Sequence, residues 1–81
     1  MINKGRQHTI QGLLIPIDWN ENNIVTEVAI KTPDGATYIV GQNEKGNELL
    51  ALIYIKVEAT GVVGADEYSD VVIKVDRYVV L

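Results

Sequence analysis

One segment, NEKGNELLALI at residues 43–53, limits what this 81-residue chain can fold into more than any other. Asn43 is a good helix N-cap, and Glu44 adds a carboxylate to the first turn, where the positive end of the helix dipole favours it. Leu49, Leu52 and Ile53 then recur at i, i+3 and i+4, the spacing of one helical face. Gly46 costs about 1 kcal/mol relative to alanine inside a helix and leaves a second start open at Asn47, followed by Glu48. A helix of about ten residues is marginal in water by itself, so its apolar face must dock on something.

The flanking sequence supplies strands. Residues 8–19, HTIQGLLIPIDW, are a long β-prone run with Gly12 inside it and Pro16 near its end, the signature of a bent first strand. NENN at 20–23 is a turn. In IVTEVAIKT, 24–32, Ile24, Thr26, Val28 and Ile30 share one parity while Glu27 and Lys31 take the other, which predicts a half-buried strand. PDG at 33–35 is a strong hairpin signal, and ATYIVGQ, 36–42, returns from it. After the helix, YIKVEATGVVG at 54–64 alternates with Ile55, Val57 and Ala59 on one face. ADEYSD, 65–70, is a polar connection, and VVIKVDRYVVL, 71–81, places Val71, Ile73 and Val75 opposite Lys74 and Asp76. Residues 1–7 are polar and are expected to be flexible, which leaves one domain over 8–81. The apolar residues, 47% of the chain, are dominated by valine and isoleucine with no phenylalanine, and such β-branched residues suit pleated surfaces.

Strand, strand, strand, helix, strand, strand, with a glycine bend in a long first strand, resembles the OB-fold. The resemblance covers residues 8–81 and rests on Gly12, PDG, NEKGNELLALI and VEATGVVGADE. It implies an all-β, five-stranded OB-fold Greek-key barrel with one short α-helix between strands 3 and 4, the helix plugging an open end. The last of those stretches looks like small stand-alone bacterial OB domains. An SH3-like barrel also has five strands, but a leucine-rich helical segment in this position fits it poorly. One departure is that no glycine follows the helix; Tyr54 stands there.

Composition closes off several functions. With no cysteine there is no disulfide, thiolate nucleophile or thiolate zinc site. His8 is the single histidine, and Ser69, the single serine, sits in EYSDV rather than in a nucleophile elbow. Asp66, Glu67 and Asp70 do not follow calcium-loop spacing and read as a solvated acidic loop. No enzyme, cofactor or metal is expected. No run approaches the ~18 apolar residues of a membrane helix, and MINKGRQHTIQG lacks the apolar core of a secretion signal. A soluble, cytoplasmic protein is the expectation.

The OB resemblance implies a ligand face on the outside of strands 2 and 3, flanked by the first and last hairpin loops. That face would draw on Val25, Glu27, Ala29 and Lys31 from strand 2 and on Tyr38 or its neighbours from strand 3, with Trp19 at the mouth of the first loop and Tyr68 at the tip of the second. Trp19, Lys31, Tyr38 and Tyr68 are the candidate ligand-binding residues. A lone tryptophan at a strand end also suits packing over a barrel rim. Asp18, Glu21, Asp66, Glu67 and Asp70 crowd the flanking loops and would repel a phosphate chain, in keeping with a net charge of −4. The expected function is therefore a non-enzymatic binding module for a protein or small polar ligand, with single-stranded nucleic acid as the alternative.

Overall fold

Gly12 lets one strand serve two halves of a barrel. In the computed structural model, which describes residues 6–81, β1 (Arg6–Trp19) pairs antiparallel with β4 (Lys56–Ala65) over Arg6–Leu13 and with β2 (Val25–Lys31) over Leu13–Trp19. Leu13 belongs to both ladders. A Cβ on Gly12 would lie 2.5 Å from the Lys31 carbonyl oxygen, so only glycine permits the crossing. β1 starts at Arg6, two residues before the sequence suggests; residues 1–5 of the expected flexible terminus lie outside the described residues.

The PDG turn joins β2 to β3 (Thr37–Val40), and β3 pairs parallel to β5 (Val71–Val80), which pairs antiparallel with β4. The strand order β1-β2-β3-β5-β4 closes on itself. This is the expected all-β barrel of OB type, with its single short α-helix between strands 3 and 4.

That helix, α1 (Glu44–Leu49), runs on as a 3₁₀ turn over Leu50–Leu52. It starts at Asn43, not Asn47. Asn43 Oδ1 accepts from the Gly46 N–H at 2.7 Å, and Asn43 Nδ2 donates to the Val75 carbonyl oxygen at 3.0 Å. One side chain thus caps the helix and pins it to β5. Leu49 is 0% exposed within a core of Leu14, Val28, Ile30, Val40, Val57, Ala59, Ile73 and Val75, while Leu50, Leu52 and Ile53 pack on its margin. The gap left between helix and wall is about 10 Å³, room for at most one water. Through Leu49 the helix fills the barrel end.

Three sequence expectations shift at strand ends. Ile24, Ile55 and Val71, placed by alternation on buried faces, are exposed. Ile24 still belongs to the turn, where its N–H donates to Asn20 Oδ1. Ile55 precedes β4 and answers to the helix exit, its N–H donating to the Leu52 carbonyl oxygen. At that exit Tyr54 adopts φ +66°, the left-handed position that glycine usually takes, and its N–H donates to the Leu14 carbonyl oxygen at 2.6 Å. Among the described residues, no helix is long and apolar enough to cross a membrane.

Candidate functional site: an apolar lane on the outer wall

Directly paired residues project from the same face of a sheet, so the ladder registers show what the barrel presents outward. Val40 and Ile73 pair and are buried; their neighbours Ile39 and Val72 pair and therefore face out. Ile39 also pairs with Ala29, Ala29 with Ile15, and Val72 with Gly64. Every strand thus contributes one residue to a single outer row: Ile15, Ala29, Ile39, Val72 and Gly64. None is charged or polar. At the ordinary strand spacing the row is roughly 19 Å long. Ala29 is 0% exposed although it lies on the outer wall between Ile15 and Ile39. At its β4–β5 end the row opens into a shallow groove of about 410 Å³ lined by Val62, Gly64, Ala65, Asp66, Val72 and Lys74.

The four candidate residues do not converge on this lane. Tyr38 pairs with fully buried Ile30, so it lies on the core side of β3 and packs against the core; Ile39 takes the outward place expected for it. Lys31 does face out, opposite Thr37, at the far end of β2. Trp19 is 51% exposed and pairs with Val25 at the other end. Six residues of strand separate Val25 from Lys31, so tryptophan and lysine stand roughly 20 Å apart. Tyr68, 77% exposed, sits in the β4–β5 turn beyond the end of the sheet. Val25 also leaves the expected outer set. Register shifts at Asp18 and Trp19 break the two-residue period of β2, and Val25 packs against the core. Glu27, Ala29 and Lys31 remain outward.

The acidic groups have local duties. Asp66 Oδ1 accepts from the N–H groups of Tyr68 and Asp70, at 2.8 and 2.9 Å, and so shapes its own turn. Asp34 does the same in the β2–β3 turn: Thr32 Oγ1 and the Ala36 N–H both donate to it, and these bonds hold its pKa below the usual aspartate value. Asp18 and Glu27 face each other across β1 and β2, a like-charge pairing that disfavours anions there. Among the described residues no group of three or more histidine, aspartate or glutamate side chains is placed to hold a metal ion.

Sequence reasoning names none of Ile15, Ile39, Val72 and Gly64, reaching Ile39 only as an unnamed neighbour of Tyr38. A signal for the first three was present. Four strands carry three consecutive apolar residues: Leu13-Leu14-Ile15, Val28-Ala29-Ile30, Tyr38-Ile39-Val40 and Val71-Val72-Ile73. A strand wetted on one face alternates, so such runs mean that both faces are apolar. Comparison with known protein families, curated proteins and solved structures finds no match to this chain.

Proposed function

We propose that this chain is a non-enzymatic binding module that takes an extended segment of a protein partner on the outer face of β2 and β3. The observation that carries the reading is the uncharged, non-aromatic lane Ile15–Ala29–Ile39–Val72–Gly64 crossing all five strands. Its length of roughly 19 Å matches about six residues of extended chain. Aliphatic side chains desolvated along it would contribute about 25 cal/mol per Å². The family reading, a small stand-alone bacterial OB-fold domain in the cytoplasm, belongs to the same proposal and is supported by the closed β1-β2-β3-β5-β4 order.

Single-stranded nucleic acid is the second reading, and the lane argues against it. Such ligands need aromatic platforms beside cations, whereas Trp19, opposite Val25, stands a full length of β2 away from Lys31 and Tyr38 packs inward. The test pairs two measurements. Labelled single-stranded DNA and RNA are titrated at low and high salt. A partner retained from native lysate is compared between wild type and the folded variants Ile39→Lys and Val72→Glu. The reading expects no nucleic-acid binding even at low salt and a protein partner lost in both variants. Salt-dependent binding of single strands, or a partner indifferent to both substitutions, overturns it.

A further inference from the structure

The barrel closes in strand order, but one length of β1 is left open. β2 covers β1 only from Leu13 onward. The next residues of that ladder would set Pro33 opposite Gln11, and there the chain turns away through Pro33-Asp34-Gly35 into β3. Proline has no N–H to continue a ladder. Backbone direction follows from two independent sets of bonds. Leu14 bonds toward the β4 side through Tyr54 and Ile55, and Lys56 accepts from Leu81 on the β5 side, which turns Val57 and Ala59 toward β1. Both place the N–H and C=O groups of residues 8, 10, 12 and 14 against β4. Those of Gln7, Thr9 and Gln11 therefore point out of the open edge, where the described residues supply no strand to meet them.

The side chains leave that edge clear. Gln11 Nε2 donates to Glu58 Oε2 at 2.7 Å, Gln7 Nε2 donates to Asp76 Oδ2 at 3.1 Å, and the Thr9 and Thr60 hydroxyls share a bond of 2.9 Å. All three lean back over β4 and away from the exposed backbone. The devices that ordinarily blunt an edge are missing from residues 7–11: no lysine, no proline, no bulge. The other open length, near Tyr78 and Val80 of β5, lies beside α1, where Tyr78 Oη donates to Glu48 and Asn43 Nδ2 occupies the Val75 carbonyl.

We propose that the Gln7–Gln11 edge is a self-association surface, at which a second copy of this chain adds its own β1 antiparallel and the two barrels share one continuous sheet. The edge is self-complementary. A two-fold axis at Thr9 sets Thr9 against Thr9 and Gln7 against Gln11 of the second copy, and the three outward residues of each copy exchange up to roughly six backbone hydrogen bonds. Charge favours the same occupant. The chain carries 11 carboxylates, yet RQHTIQG, residues 6–12, has none. Glu58 and Asp76, the carboxylates flanking this edge, are already bonded by Gln11 and Gln7.

Sedimentation equilibrium of the full chain, from low micromolar to near millimolar concentration, tests the proposal. The mass should rise from one to two chains. Thr9→Pro removes an N–H that β4 does not use, so the barrel should keep its circular dichroism while the dimer weakens by roughly tenfold or more, the loss of one or two net hydrogen bonds. Thr9→Val removes the hydroxyl bond to Thr60 but keeps the backbone donor, and should dimerise as the wild type does. In wild-type protein, amide exchange at Gln7, Thr9 and Gln11 should slow as concentration rises, a readout that stands even if Thr9→Pro fails to fold. A chain that stays monomeric throughout, or a dimer whose formation leaves exchange at these three amides unchanged, overturns the proposal.

Discussion

Gly46→Ala separates helix propensity from packing, because the two predict opposite signs. In an isolated helix the substitution would stabilise by about 1 kcal/mol. In this barrel Gly46 is buried where α1 meets the end of β3. An alanine Cβ would sit inside the 3.0 Å that real Cβ atoms keep, against the Gly41 carbonyl oxygen, and 3.2 Å from both Asn43 Oδ1 and Val40 Cγ1. The first of these is main chain and cannot rotate away, so the helix must back off. Overpacking of this kind costs about 1–3 kcal/mol. Backing off also strains the Asn43 cap and its bond to Val75, together worth about 1 kcal/mol or more. After the propensity gain is subtracted, a net destabilisation of about 1–3 kcal/mol remains. For a domain of this size each kcal/mol shifts Tm by about 4–8 °C. Thermal and urea unfolding followed by far-UV circular dichroism would read it. Asn47→Ala, one residue further along and exposed, is the control and should be neutral or slightly stabilising. A Gly46→Ala protein as stable as the wild type, or more so, refutes the close docking of α1 on β3.

Leu49→Ala should cost about 2–5 kcal/mol in the same assay, since Leu49 is fully buried in the barrel end; a loss well under 1 kcal/mol would remove the plug. Tyr54→Gly should be neutral to stabilising by up to about 1 kcal/mol. It relieves a left-handed φ of +66° at a side chain that is 64% exposed, and a clear destabilisation would show that the ring packs. The hydrogen bond from Tyr78 Oη to Glu48, at 2.8 Å, raises the phenol pKa above its ordinary 10.0. Its stabilisation is therefore full below pH 10 and is lost as pH rises through the raised value. Absorbance titration should show Tyr78 ionising late, and Glu48→Gln should move it back toward the ordinary value; an unchanged titration in that variant would deny the bond.

Local chemistry made most elements legible in the sequence. Pro33-Asp34-Gly35 forms its turn because those residues prefer it, Asn43 caps because its side chain reaches an adjacent N–H, and Gly12 permits a crossing that no Cβ would. The helix at NEKGNELLALI is likewise a consequence of the i, i+3, i+4 spacing within that one short window. The outer wall was legible only in part. In runs such as Tyr38-Ile39-Val40 both faces are apolar, and a one-residue slip exchanges them, so pattern alone does not say which residue points inward.

The sequence by itself determined the order of the elements, their turns and caps, and the lack of thiol chemistry. Those properties depend on neighbours within a few positions. The tertiary structure decided what the barrel shows to a partner. Tyr38 faces the core because it pairs with Ile30, Ile39 faces out because it pairs with Ala29 and Val72, and the Gln7–Gln11 edge is open because β2 turns away at Pro33. The Ile39–Val72 pairing joins strands far apart in the chain, and even the hairpin pairings of β2 and β3 leave open which face turns inward until the barrel closes around it.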